Sequence, residues 1–155
     1  MKKFAIIASS TLLCSCAILG PQSYKAPDTG KTATLTLRNQ SSLEAHMTFF
    51  REYEFCAGRS EGIKTPPNGK NTYKISAETP LSINITISDY YTSCGGFLTF
   101  PTEDNHSYTM EINETVGGCS TQIYDLVSGE KTAVPFKKRK SNIFMLNGDS
   151  EFCSD

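Results

Sequence analysis

The amino-acid sequence predicts an all-β fold: an antiparallel β-sandwich of about seven to eight strands, in an immunoglobulin-like or transthyretin-like arrangement. Three observations lead to this prediction. Several segments alternate apolar and polar residues with a period of two, the pattern of a strand with one face on a core. Turn-forming residues separate these segments at short intervals. The middle of the chain is rich in Thr, Ile, Tyr and Phe, which favour strands.

The alternation is clearest in the segment LSINITIS, residues 81–88, where apolar residues occupy every second position from Leu81 onward. A helix would distribute these side chains around its circumference, so the spacing favours a strand. The segments TATLTLRN (32–39) and SYTMEIN (107–113) show the same period. Strands are therefore predicted at residues 32–39, 45–55, 71–76, 81–88, 96–100, 107–113 and 120–126, with a weaker one at 142–146.

The connections between the predicted strands contain residues that favour turns. Pro66-Pro67-Asn68-Gly69 precedes the strand at 71–76, and Gly117-Gly118 precedes the strand at 120–126. Ser128-Gly129 follows that strand. Short strands separated by such turns are typical of a sandwich.

The composition limits the class of partner. The chain has 155 residues, a length that favours one domain with a substantial core. Its 15 Lys and Arg residues nearly balance its 16 Asp and Glu residues, so no strong positive field argues for nucleic acid as a partner. Neither histidine, His46 or His106, has the spacing to other ligands that a metal site needs. The sequence therefore predicts no metal and no cofactor.

The amino terminus has the layout of a secretory signal peptide. Met1-Lys2-Lys3 is a short basic start, an apolar run follows at residues 4–13, and small residues come next. The run is too short to cross a bilayer as a helix, which needs about 20 apolar residues. The sequence therefore predicts export.

Leu13-Cys14-Ser15-Cys16 resembles the lipobox of bacterial lipoproteins. Leu13, Ser15 and Cys16 match that motif, whereas Cys14 departs from the small residue that is usual in its position. The resemblance implies cleavage before Cys16 and attachment of lipid to it, with several acyl chains, palmitate among them, giving durable anchoring. Ala17 stands where an aspartate would retain such a protein in the inner membrane. The resemblance thus implies a lipid anchor in the outer membrane, with the domain facing the periplasm or the surface.

On this interpretation the chain has three parts. Residues 1–15 are a signal peptide, 16–30 are the lipidated cysteine and a flexible tether, and 31–155 are a single β-sandwich domain. Ser15-Cys16-Ala17 also fits the small-x-small site of ordinary signal peptidase. A soluble periplasmic or secreted protein is therefore the alternative.

Four cysteines remain after Cys16: Cys56, Cys94, Cys119 and Cys153. An even number of thiols in an exported chain predicts two disulfides, although the sequence leaves three connectivities open. We favour Cys94–Cys119, because both cysteines begin predicted strands within one local unit. Cys56–Cys153 would then fasten the carboxy terminus to the body of the domain.

Two groups of residues are candidates for binding. Tyr90 and Tyr91 end the clearest strand and would form a stacking platform for a sugar or a protein partner. Lys137, Lys138, Arg139 and Lys140 form the one concentrated charge, which would contact an anionic lipid or polymer of the envelope. Each group also has a structural interpretation. The tyrosines would plug one end of the sandwich, and the lysines would protect an edge strand or lie in a solvated loop.

Few residues suggest catalysis. Glu52 and Glu54 alternate on a predicted strand, about 7 Å apart, and would suit a glycosidase pair only if a sugar cleft surrounded them. The sequence therefore favours a non-enzymatic lipoprotein of the cell envelope that serves as a structural or protein-interaction module, with envelope proteins as partners. A periplasmic or surface binding module for a glycan or peptide is the alternative, and a small glycoside hydrolase is the weaker one.

Overall fold

The computed structural model describes residues 23–89, 93–127, 129–142 and 151–155. These residues form strands and connecting segments without a helix. The strands are β1 (Thr32–Asn39), β2 (Ala45–Glu52), β3 (Ala57–Arg59), β4 (Ile63–Thr65), β5 (Lys70–Ser76), β6 (Leu81–Ser88), β7 (Ser93–Phe100), β8 (Ser107–Thr115), β9 (Gly118–Val127), β10 (Glu130–Ala133), β11 (Lys137–Ser141) and β12 (Cys153–Ser154).

The strands form two sheets that pack face to face. The five-stranded sheet has the order β10-β9-β8-β1-β5, and the seven-stranded sheet has the order β12-β11-β7-β6-β2-β3, with β4 also paired to β2. Neighbouring strands are antiparallel except β1 and β8, which are parallel. The constant-type immunoglobulin fold holds its first two strands in one sheet. Here β1 and β2 lie in different sheets, so the strand order departs from the constant-type arrangement.

The core lies between the sheets and is built from every second residue of the long strands. Leu35 and Leu37 of the five-stranded sheet and Ile83 and Ile85 of the seven-stranded sheet are fully buried. The threonines that alternate with these leucines on β1, Thr34 among them, lie on the opposite face of the sheet and are exposed or partly exposed. The period of two therefore predicted the buried face of these strands correctly, because burial of apolar surface is the main driving force for folding.

The all-β prediction is confirmed, although several strand bounds differ and short strands were not predicted. Seven strands have seven to ten residues, and five shorter ones extend the sheets. The strand predicted at 45–55 ends at Glu52, where a turn begins. Lys137–Ser141, which was not among the predicted strands, pairs with β7 as β11. Of the weaker strand predicted at 142–146, Asn142 lies outside any strand and the remainder falls outside the described residues.

Both favoured disulfides are present. Cys94–Cys119 joins β7 to β9 across a Cα–Cα distance of 5.6 Å, and because these strands belong to different sheets the bridge ties the two sheets together. Cys56–Cys153, with a Cα–Cα distance of 5.3 Å, fastens the last strand to the turn after β2. The Cys56–Cys153 bridge and Phe50 form a small separate hydrophobic cluster, and Phe97 and Phe152 pack against this cluster.

Tyr24, within the segment predicted as a tether, packs against the core. The ring of Tyr24 stacks on Phe49 at a centroid distance of 4.1 Å and contacts the edge of Tyr73. Its hydroxyl donates a hydrogen bond to the carbonyl of Lys74 on the edge strand β5. Burial raises the pKa of Tyr24 to about 12. Tyr24 thus closes one side of the core where β5 and β2 meet.

Candidate functional site

The structure separates the predicted site residues into those it describes and those it does not. Cys16, the predicted lipid acceptor, and the tyrosine pair Tyr90 and Tyr91 lie outside the described residues. The strands that flank the tyrosine pair end at Ser88 and begin at Ser93, and they are paired to each other at these residues.

The basic run forms β11, and one of its four members has a structural role. The Arg139 side chain is only 7% exposed, and its guanidinium donates hydrogen bonds to the carbonyls of Tyr53, Glu54 and Ser154. It also pairs with Asp155 at 3.0 Å. Arg139 therefore fastens the turn after β2 and the carboxy terminus to the sheet, and it is not free to bind an external anion.

The three lysines of the run remain exposed. Lys137 pairs with Asp155 at 2.8 Å, an interaction that lowers the pKa of that carboxyl group. Lys138 and Lys140 are exposed on the same strand. Among the described residues, only the two-residue β12 pairs with the outer edge of β11, and lysines on such an edge strand also oppose pairing with other chains.

The two glutamates predicted as a possible catalytic pair do not share a strand. Glu52 is the last residue of β2, and Glu54 lies in the following turn. Both are exposed, and the carboxylate of Glu54 accepts a hydrogen bond from its neighbour Tyr53 at 3.4 Å. The prediction that alternation on one strand places them on the same side was wrong, because the chain turns after Glu52. This geometry gives no support to a glycosidase pair.

Several loops meet at one end of the sandwich, which we call the loop end. There β1 ends at Asn39, β5 begins at Lys70, β8 ends at Thr115 and β9 begins at Gly118. The end of β6, the start of β7 and the Cys94–Cys119 bridge lie at the same end, because Ile87 and Cys94 are register partners and Cys119 is the second residue of β9. Loops at the end of a rigid sandwich are the usual place for binding residues.

The buried side chain of Asn39 connects the loops at the loop end by hydrogen bonds. It is 1% exposed, and its amide nitrogen donates hydrogen bonds to the carbonyls of Leu43, Thr65 and Pro66 at 2.7, 3.2 and 3.0 Å. Its side-chain oxygen accepts one from the backbone N–H of Ser41 at 3.1 Å. One side chain thus holds two loops, one after β1 and one after β4.

A second contact holds the loop after β1 to the end of β8. The carboxylate of Glu114 accepts hydrogen bonds from the backbone N–H and the hydroxyl of Ser42, at 3.0 and 2.8 Å. These bonds lower the pKa of Glu114, the backbone bond contributing most. The loop therefore has a fixed position relative to the five-stranded sheet.

A pocket of about 340 Å³ opens at this end. It is lined by Arg38, Asn39, Gln40, Asn68, Gly69 and Lys70. Arg38 and Lys70 are register partners on β1 and β5, so their side chains leave the same face of the sheet side by side. Neither cation makes an ion pair or a hydrogen bond through its side chain with another described residue. Sequence reasoning missed this site, since the two residues are far apart in the chain and meet only through the register.

The two histidines have carboxylate neighbours at other places. His46 lies 3.1 Å from Glu44, which also pairs with Lys64. The Nδ1 of His106 lies 2.5 Å from Asp125 Oδ2, and its Nε2 lies 3.5 Å from Glu103. The hydrogen bond to Asp125 is the main reason that the pKa of His106 is raised above its ordinary value of 6.5.

We expect this contact to make stability depend on pH. Because the folded chain holds the His106 proton more tightly than the unfolded chain, the contribution is fully present well below pH 6.5 and is lost as pH rises through the raised pKa. Urea unfolding of wild type and His106→Gln across pH 5–9 measures it. The difference in unfolding free energy should be largest at the acidic end and shrink towards pH 9. A difference that is constant with pH would contradict the expectation.

No group of three or more potential metal ligands occurs among the residues that the structure describes. Within the same residues, no helix has the length and apolar character needed to cross a bilayer. In comparisons with known proteins, no protein-family model and no curated protein matches the chain.

Proposed function

We propose that the chain is a non-enzymatic lipoprotein of the cell envelope, in which lipid on Cys16 anchors a rigid β-sandwich that acts as a structural or protein-interaction module. The observation that carries the proposal is the pair of disulfides, Cys56–Cys153 and Cys94–Cys119. They use all four cysteines that follow Cys16. Disulfides persist in oxidising compartments, so the bridges agree with the export that the signal peptide and lipobox predict.

A short connection between the anchor and the packed domain gives the proposal a geometric consequence. Only residues 17–23 lie between Cys16 and Tyr24, which packs on the core. A fully extended chain spans at most about 3.5 Å per residue, so Tyr24 would stay within about 28 Å of the lipidated cysteine. The domain would therefore be held near the membrane surface, where the exposed lysines of β11 are available to anionic headgroups.

Metabolic labelling with palmitate tests the anchor. In a bacterial host, wild type should incorporate label and fractionate with the outer membrane, whereas Cys16→Ser should incorporate none. The matched control is Cys14→Ser, which alters the neighbouring thiol and should be labelled like wild type. Equal labelling of wild type and Cys16→Ser, or no labelling of either, contradicts lipidation and favours the soluble periplasmic or secreted alternative.

Crosslinking in intact cells tests the interaction role. A lysine-reactive crosslinker should join the chain to a defined protein of the envelope. If the lysines of β11 contact lipid instead of protein, the same crosslinked product should form with a triple variant, Lys137→Ala, Lys138→Ala, Lys140→Ala. A chain recovered only as the free monomer would contradict an interaction module. The alternative, a binding module for a glycan or peptide, has one structural observation in its favour, which is the pocket at the loop end.

A further inference from the structure

The pocket at the loop end contains an unusual charge arrangement. Arg38 of β1 lies directly opposite Lys70 of β5 in the antiparallel register, so two like charges are adjacent on one face of the sheet. Like charges in directly opposed positions destabilise a sheet. Both side chains are exposed and line the pocket.

The carboxylate beside Arg38 on β8 does not neutralise this pair. Glu111 is the register neighbour of Arg38 on β8, but its carboxylate accepts a hydrogen bond from Lys131 at 2.9 Å. The ammonium of Lys131 also lies 3.7 Å from the ring centroid of Tyr124, which fixes it in that position. The charge of Glu111 is therefore already matched, and Arg38 and Lys70 together leave an excess of positive charge at the pocket.

The remaining lining residues, which include the amides of Gln40 and Asn68, are held in place. Gln40 and Asn68 have side-chain amides without a hydrogen-bond partner among the described residues, while their backbone N–H groups donate to Ile112 and Ser41. The buried Asn39 side chain holds the loop after β1 and the loop after β4, which lie on the two sides of the pocket. The pocket thus presents two cations and two amides, each amide able both to donate and to accept, on a rigid base.

We propose that this pocket binds an acidic carbohydrate, with a carboxylate or sulfate group of the sugar held between Arg38 and Lys70 and its hydroxyls bound by the amides of Gln40 and Asn68. A guanidinium and an ammonium are the side chains that bind such anions through charge-assisted hydrogen bonds. Amides suit hydroxyl groups, which also both donate and accept. The volume of about 340 Å³ is at the lower end of the range for ligand pockets and fits a small polar ligand. The proposal goes beyond the envelope role and does not depend on lipidation of Cys16.

Calorimetric titration of the full chain with digalacturonate tests the proposal, with neutral galactobiose, inorganic sulfate and a tri-aspartate peptide as comparison probes. Digalacturonate should bind, galactobiose should not, and binding should weaken as salt increases. Arg38→Ala and Lys70→Ala should each weaken binding by about tenfold. The matched control is Lys74→Ala, on the same strand and the same face but outside the pocket, which should bind like wild type.

A charge reversal separates the proposed role from a structural one. Lys70→Glu places a carboxylate opposite Arg38, so it should raise the midpoint of thermal unfolding while abolishing digalacturonate binding. A folded variant that is more stable and does not bind supports the site directly. The proposal is overturned if no probe binds, or if sulfate or the peptide binds as tightly as digalacturonate. It is also overturned if Lys74→Ala weakens binding as much as Lys70→Ala, or if Lys70→Glu lowers the midpoint of thermal unfolding.

Discussion

Replacing Cys56 and Cys153 together by serine is expected to lower the free energy of unfolding by about 5 kcal/mol, a larger effect than we expect from any other substitution in this chain. The two cysteines are 97 residues apart, so the bridge closes most of the domain into one loop. In the chain-entropy model, opening a loop of that length restores about 4.7 kcal/mol of conformational freedom to the unfolded chain. A loss of this size approaches the whole stability of a small domain.

The same change should loosen the carboxy terminus locally. Both cysteines are fully buried in the cluster with Phe50, and β12 has only two residues to pair with β11. Without the bridge, Ser154 and Asp155 would be held only by the short β11–β12 pairing and by exposed or partly buried polar contacts, those of Arg139 and Lys137 among them, in the part of the chain that the structure describes. We therefore expect limited proteolysis to remove the carboxy-terminal residues from the variant long before it cuts the sandwich.

The Cys94–Cys119 bridge provides the matched control. Cys94 and Cys119 are 25 residues apart, and the same model gives about 3.5 kcal/mol for their removal. Urea unfolding of both double variants under non-reducing conditions should therefore rank Cys56/Cys153 as the more destabilising loss. The reverse order, or equal losses, would show that chain entropy does not dominate and that the inter-sheet bridge at the loop end bears more of the stability.

The parts of the fold that were predictable are those in which local pattern and burial coincide. Ile83, Ile85 and Ile87 alternate with polar residues because they face the core, whereas Asn84, Thr86 and Ser88 on the other face of β6 are only partly buried. The β11 strand escaped prediction for the opposite reason. Its sequence KKRKS has no apolar member, since it extends the sheet beyond the core and pairs through its backbone with β7.

The polar residues that shape the loop end could not be identified from sequence. Arg38 and Lys70 are 32 positions apart and become neighbours only because the β1–β5 register aligns them. A single shift of that register would place them on opposite faces of the sheet. Arg139 has the same difficulty, because its charge suggested a surface role and its partners are backbone carbonyls supplied by the turn after β2 and the carboxy terminus.

Replacing Asn39 by alanine is expected to lower the free energy of unfolding by about 3 kcal/mol. Its two side-chain N–H groups are shared among three carbonyls and its oxygen accepts one further bond, which is equivalent to three hydrogen bonds of about 1 kcal/mol each at a buried site. The carbonyls of Leu43, Thr65 and Pro66 would lose their donor together. The loops on both sides of the pocket should therefore loosen, which hydrogen exchange at the Ser41 amide would report as faster exchange than in wild type.

An isosteric variant distinguishes hydrogen bonding from packing as the cause. Asn39→Asp keeps the shape and the acceptor for Ser41 but places a carboxylate oxygen against three carbonyl oxygens in a buried site. Since an unpaired buried charge costs more than a lost hydrogen bond, Asn39→Asp should be at least as destabilising as Asn39→Ala near neutral pH. Its deficit should shrink in acid, where a protonated carboxyl group regains a donor for one of the carbonyls. If Asn39→Asp instead unfolds like wild type at neutral pH, the side chain acts through its volume, and the donor role assigned to it is wrong.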